Sequence, residues 1–447
     1  MSAEPAMLAG RRRKDESRMD ILFENAMLLL EDQVIPCGYL GVRDKVITYI
    51  GGDRPEEEYS THRNMTGKLL MPGLYNMHTH TPMTLLRGVG SGLPLDRWLT
   101  EAIFPVEARL RDEDYSCGSR LAMMEMLSSG TVSFTDMYDG PEVTAQEVLR
   151  AGMKANLNYF IVGFDPSAPY ESNLKAMKSP EFFKAWNGQG DGRIQVDFSI
   201  HAEYTNFDSL AAAYAQECHK LGAGMHIHLS ETKKEHEECK QRHGGLSPTA
   251  WFEKMGVLDN PTIAAHCVWV DEADMEILKA HGVTCVHNPS SNMKLGSGFM
   301  PMRKLLDRGI NVCIGTDGAA SNNNLNLLEE IHLAAMIHNG FHLDPTYVQP
   351  SELIRMATVN GALGQRRRNA GALREGYAAD VAAIDLSAPH LRPCLDVPAL
   401  VTYSMQSSDV CMTMVDGKIL YDDGEYLTID AEKAYADAAA SVKRLFG

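Results

Sequence analysis

The stretch "MPGLYNMHTHTPM", residues 71–83, carries an apolar run through a Pro-Gly and then sets His78 and His80 two residues apart. In an extended strand residues two apart point to the same side, so both imidazoles can face one metal ion. Spacing alone does not carry that reading. Sixteen histidines in 447 residues yield about 0.6 His-x-His pairs by chance, and His226 with His228 forms a second pair. Position in the fold has to decide.

Downstream of this stretch, short β-prone runs alternate with helical patterns such as "DYSCGSRLAMMEMLSSG", the rhythm of βα units in a parallel sheet. Eight such runs can be counted: "LLMPGLYNMHTH", "GTVSFTDM", "ANLNYFIVG", "RIQVDFSIH", "GAGMHIHLSE", "PTIAAHC", "GVTCVHNP" and "INVCIGTDG". Eight strands over about 250 residues predict an α/β fold, a (β/α)8 TIM barrel. The first run can equally be counted with the β-rich segment before it. Strand-like runs punctuated by Gly, Pro and Asp on both flanks predict a small β-sandwich built from both termini, residues 20–68 with 373–430. The barrel then spans 69–372, a helix ends the chain at 431–447, and the basic "RRRK" run lies in a mobile tail, 1–19.

In such barrels the chemistry sits at the C-terminal strand ends. His78 and His80 end the first strand, His201 the fourth, His228 with Glu231 the fifth, His266 the sixth, His287 the seventh and Asp317 the eighth. Six of eight strand ends thus carry a ligand or acid-base group expected to face one mouth. Neutral imidazoles with one carboxylate suit a borderline divalent ion such as zinc, and the candidate ligands are His78, His80, His228 and Asp317. His226 lies on the same side as His228 and can take its place. Glu231 follows the fifth strand and can lean over a metal without binding it; read plainly, it is instead a charged helix start in "SETKKEHEEC". Asp136 and Asp139, in "DMYDG", fit a turn as well as a site and are left unassigned.

A formal charge of −17 opposes binding to nucleic acid or an anionic membrane surface, because the mean field repels phosphate. Nine cysteines without a Cys-x-x-Cys pair or regular spacing predict reduced thiols, and no apolar run reaches membrane-spanning length. A cytoplasmic protein acting on a small molecule is expected, and a homo-oligomer is compatible with this composition.

The segments "MPGLYNMHTHTPMTLLRGVG", "HIHLSET", "AAHCVWV", "VHNPSSNMKLGSG" and "GTDGAASNNNLNLLEE", in that order, resemble the metal-dependent amidohydrolase superfamily over about residues 20–430. The branch they look most like is the 5′-methylthioadenosine/S-adenosylhomocysteine deaminases. The resemblance implies one metal ion, zinc or sometimes iron, held by His78, His80, His228 and Asp317. "DFSIH" offers His201 in place of a bridging lysine, which fits a single metal. It further implies that His266 orients the attacking hydroxide and that Glu231 protonates the ring nitrogen and then the leaving amine. Glu107, in "FPVEARL", corresponds to the acid used on ribose hydroxyls, His201 to a purine contact, and Trp98 is counted with them as a substrate contact.

With Asp317 accepting the proton of the water, the implied reaction is hydrolytic deamination of an aminopurine nucleoside: adenosine, 5′-deoxyadenosine or 5′-methylthioadenosine. The alternative is another aminated heterocycle, guanine, pterin or triazine, deaminated or dechlorinated by the same site. A closed structural zinc is a third reading; Glu231 and His266, in excess of four ligands, disfavour it. One departure bears on substrate. Members that accept S-adenosylhomocysteine hold its carboxylate with arginines after the third strand, whereas "LNYFIVGFDPSAPYESNL" has no Arg or Lys before Lys175. Tyr159, Phe160, Phe164 and Tyr170 make that segment aromatic, so an apolar 5′ pocket is expected.

Overall fold

The eight β-prone runs form eight parallel strands: Leu74–Thr79, Thr131–Met137, Lys154–Asn158, Ile194–Ile200, Gly224–Leu229, Thr262–His266, Thr284–His287 and Val312–Ile314. The structure, a computed structural model, describes residues 20–447, and the tail expected at 1–19 lies outside the described residues. Each strand pairs in parallel with the next. The last five are buried almost throughout, as required of a parallel sheet covered by helices on one side and filled by side chains on the other. The eighth and first strands share no ladder. Their seam is closed instead by the Asp317 N–H donating to the His78 carbonyl at 2.9 Å and by the Asn76 side chain. Asn76 accepts from the Thr316 N–H at 3.0 Å and donates to Thr316 Oγ1 at 2.8 Å. The barrel is therefore nearly closed, and its seam lies at two of the candidate ligands.

Both ends of the described chain contribute to a nine-stranded mixed sheet. The N-terminal part supplies five strands, from Asp20–Leu29 to Lys68–Pro72, and the C-terminal part four, from Val381–Asp385 to Glu425–Tyr426. Lys68–Pro72 pairs antiparallel with Val381–Asp385 and joins the two halves. Phe23, Leu40, Met65, Val381 and Met414 pack in one apolar cluster, so the sandwich is a continuous sheet around a core of its own. The run read as one first barrel strand is divided: "LLMP" belongs to this sheet and "LYNMHT" to the barrel, with the change at Gly73. A Cβ on Gly73 would lie 2.3 Å from Val132 Cγ1, so the chain passes between the sheets where only glycine fits. The helix Ala431–Phe446 lies against Asp112–Leu127, where Arg120 Nη2 meets Asp437 at 2.7 Å.

Sheet and barrel are tied by a buried polar network. Lys154 opens the third barrel strand, and its Nζ lies 2.7 and 2.6 Å from the two oxygens of Asp380. It also lies 2.6 Å from Asp416 Oδ1, and the Tyr75 hydroxyl donates to Asp380 at 2.6 Å. Lys154 is 5% and Asp380 2% exposed, so removing the cation strands a buried carboxylate. Lys154→Met is expected to lower stability by about 3–5 kcal/mol, read as a shift of the urea midpoint; an unmoved midpoint would contradict the network's structural role.

Candidate active site

Above the barrel the strand ends gather four imidazoles and a carboxylate. The His78 ring centroid lies 4.9 Å from those of His80 and His228 and 5.4 Å from that of His266. Each ring is fixed from behind. His80 Nδ1 donates to the Met137 carbonyl at 2.5 Å and His228 Nδ1 to the His201 carbonyl at 2.7 Å. Because a carbonyl only accepts, these bonds turn both Nε2 atoms inward, the usual way an imidazole is oriented for a metal. His78 Nδ1 lies 3.0 Å from His226 Nε2. His226 thus supports His78 from below, while His228 faces the cluster.

Asp317 is the anionic member. Its Oδ1 lies 3.1 Å from His80 Nε2 and 3.4 Å from His78 Nε2. The latter nitrogen is buried and makes no hydrogen bond. Burial opposes charge on all three; for Asp317 the two imidazoles outweigh it and hold the carboxyl well below the usual range. Burial likewise lowers His78 to about 4 and takes His228 well below its ordinary value, so both are neutral donors. On His80 burial is outweighed by Asp317, which pushes it up to about 9. Two ring nitrogens crowded on one carboxylate oxygen, one of them an orphaned buried atom, are what a single shared cation satisfies. Two overlapping triads, His78/His80/Asp317 and His78/His228/His266, each place one donor atom per residue within 4.8 Å of the others. The donor set fits a divalent metal such as zinc.

Several of these positions hold uncommon backbone. His266 and Asp317 have φ of 74° and 61°, and Ser230, beside Glu231, has 47°. Non-glycine residues adopt this left-handed region at a cost of about 1–3 kcal/mol where the surroundings impose it, and such residues concentrate at functional sites. Asp317 is locked further by the Gly318 N–H at 2.7 Å on Oδ1 and by Ser291 Oγ at 2.6 Å on Oδ2.

Glu231 is not a helix start. The following helix, Lys233–Arg242, is opened by Thr232 as N-cap, and Glu235 closes the capping box. Glu235 also accepts from the Ser230 and Glu231 N–H groups at 3.0 and 2.7 Å. Glu231 is thereby released into the cavity, where Oε1 accepts from Ser297 Oγ at 2.9 Å and Oε2 lies 3.8 Å from His266 Nε2. Burial raises its pKa above the ordinary glutamate value. His266 Nδ1 donates to Asn292 Oδ1 at 2.8 Å.

The cluster opens into a cavity of about 290 Å³, also lined by Trp98, Glu107, Phe160, Phe164, His201 and Lys175, small but suited to one aromatic ligand. Glu107 accepts from the Tyr138 hydroxyl at 2.6 Å, and burial raises its pKa. Burial brings His201 down to about 3, leaving a neutral ring. Trp98 Nε1 donates to the Val89 carbonyl at 3.0 Å, turning its apolar face to the pocket.

Three expectations change. His287 does not face the mouth: Val286 packs into the core with Met77 and Cys313, so His287 takes the other side of its strand and meets His338 Nε2 at 3.0 Å. Tyr159 and Tyr170 do not line the cavity; the Tyr159 hydroxyl donates to Glu142 at 2.7 Å. The pocket is also not free of positive charge, since Lys175 reaches it. Asp136 holds the turn after His80 by accepting from the Thr81 N–H at 2.7 Å and Oγ1 at 2.8 Å. Ser291, Asn292 and Ser297 join the site from "NPSSNMKLGSG", whose polar residues after a strand end are the signal for them in the sequence.

Comparison with known proteins gives the family. The model described as "Amidohydrolase family" matches residues 69–420. A 5′-deoxyadenosine deaminase of Methanosarcina acetivorans is 41% identical over 429 residues, 95% of this chain and 98% of its own. A 5-methylthioadenosine/S-adenosylhomocysteine deaminase of Acetivibrio thermocellus is 40% identical over 438 residues, 96% of this chain and all of its own. The crystal structure of an adenosine deaminase from Xanthomonas campestris with bound zinc has a TM-score of 0.89 at 30% identity, covering 95% of this chain and 98% of that one. A guanine deaminase structure from C. acetobutylicum, at 22% identity and a TM-score of 0.80, shares the fold. With similarity of this depth running along nearly the whole length of chain and relatives alike, the chain belongs to the amidohydrolase family.

Proposed function

We propose that this chain is a metal-dependent hydrolytic deaminase of an aminopurine nucleoside of the adenosine, 5′-deoxyadenosine or 5′-methylthioadenosine type. The observation that carries the proposal is Glu231, buried and raised, held by Ser297 beside His266 at the edge of the ligand cluster. An aminopurine needs a proton on its ring nitrogen as water adds and another on its amine before ammonia can leave, and one buried carboxyl can deliver the first and relay the second from the added water. Names of relatives at 40–41% identity support the substrate class.

His78, His80, His228 and Asp317 would hold the ion, zinc in the first instance and iron as the other candidate. When bound, such an ion lowers the pKa of water so that it attacks near neutral pH. Asp317 takes the proton of the attacking water, its carboxylate being kept ionised by the imidazoles and aimed by Ser291. His266, fixed by Asn292, orients that water. Glu231 gives its proton to the ring nitrogen, takes one back from the added hydroxyl as the carbonyl forms and passes it to the leaving amine; the proton held by Asp317 then restores Glu231 for the next turnover. Glu107 accepts from the sugar hydroxyls, neutral His201 contacts the purine, and Trp98 and Phe160 enclose it away from solvent. The nine free cysteines suit a reducing cytoplasm. Ammonia release from a panel of aminopurine nucleosides, free bases and pterins tests the proposal, and turnover confined to bases or pterins would refute it.

The wall near Phe160 and Phe164 leaves a 5′ carboxylate without a free partner. Burying an unpaired carboxylate costs several kcal/mol, so kcat/KM on S-adenosylhomocysteine is expected to be at least about tenfold below that on 5′-methylthioadenosine. Parallel kinetics on the two compounds check this, and equal use of both would contradict it.

A further inference from the structure

Two charged side chains of the cavity have no part in the chemistry above. Lys175 is the one lysine or arginine among its described lining residues. It lies in the first turn of the helix Leu174–Trp186, beyond the third strand, whereas Asp139 follows the second. Folding brings Lys175 Nζ to 2.6 Å from Asp139 Oδ1, with side chains 29% and 37% exposed. The same ammonium sits 3.8 Å from the Phe160 ring centre. Glu107 feels both charges, Asp139 raising and Lys175 lowering its proton affinity. The pair lines one cavity with Glu107, the carboxylate assigned to the sugar, and Lys175 lies beyond the third strand, in the segment that the resemblance sets against the sugar's 5′ substituent.

An isolated lysine here would attract an anionic substituent. This one has a carboxylate on one side and a ring face on another, so the pair presents no net charge, and an entering carboxylate must displace Asp139 or lie against it. We infer that the Asp139–Lys175 pair is the specificity element of this pocket: Asp139 occupies the cation and directs the enzyme to uncharged 5′ substituents. The inference rests on the nucleoside deaminase reading.

The test compares 5′-methylthioadenosine with 5′-deoxy-5′-(carboxymethylthio)adenosine, which differ by one carboxylate, and reads the ratio of their kcat/KM values in the full-length metal-loaded protein. In Asp139→Asn the ratio is expected to move toward the carboxylate by at least about tenfold. Adding Lys175→Met to that variant should abolish the gain, because the freed ammonium is its source. An unmoved ratio in Asp139→Asn, or a gain that survives loss of Lys175, overturns the inference while leaving the deaminase reading in place. Failure of the unaltered enzyme to release ammonia from either compound overturns both.

Discussion

Glu231→Gln is expected to lose at least about 10²-fold in turnover while retaining its metal. Glutamine keeps the shape and can still accept from Ser297 Oγ, which now lies 2.9 Å from Oε1. It cannot release a carboxyl proton, so the ring nitrogen and the leaving amine both lose their donor. Two measurements check this together: ammonia release under saturating nucleoside, and metal per chain after desalting. A metal-free variant would move Glu231 in among the ligands, and full turnover would remove it from the chemistry altogether.

His228→Ala is expected to lose metal and turnover together, the latter by more than about 10²-fold. Loss of a group that only orients a ligand already costs about 10–100-fold in affinity or activity, and His228 faces the cluster itself, steered by the His201 carbonyl at 2.7 Å. Chelation of the unaltered protein should reproduce the effect and added zinc should reverse it. A stripped preparation that keeps full deaminase activity would sink the metal-dependent reading. His266→Ala offers the contrast, since His266 shares a triad with His78 and His228; retained metal in that variant would place it with the water rather than with the ion.

Much of this architecture could be read before folding because hydrophobic runs and strand ends are local signals. Seven of the eight runs lie at the barrel strands and the first is shared with the terminal sheet, and topology brings the C-terminal end of each barrel strand to the mouth. Side-chain direction is less local. His287 ends its strand and His228 lies one residue short of the end of its own, yet a register that buries Val286 turns His287 toward His338. His226 and His228 share a face, and only depth along the strand separates the one that buttresses His78 from the one that faces the cluster. Glu231 and Glu235 look alike in "SETKKE"; the capping box, Thr232 with Glu235, decides which of them is spent on the helix. The place of Lys175 in the pocket is not legible in the sequence, because its partner Asp139 is 36 positions earlier, after a different strand, and no periodicity links the two.

The seam of the barrel bears on how the chain becomes an enzyme. Asn76 and Thr316, whose side chains close it, are 240 residues apart. Until the eighth strand arrives, a folding chain presents open edges on Leu74–Thr79 and Thr284–His287, of the kind that pair with other chains. Closing so long a loop adds modestly to the equilibrium cost, because loop entropy grows only with the logarithm of length; its effect falls on the rate, where distant contacts are slow. The Asp317 N–H that caps the first strand at His78 belongs to the residue proposed to take the proton of the water. Closure of the barrel and competence for catalysis thus arrive in the same step, and any shorter-lived, partly wound form of the chain is both inert and adhesive.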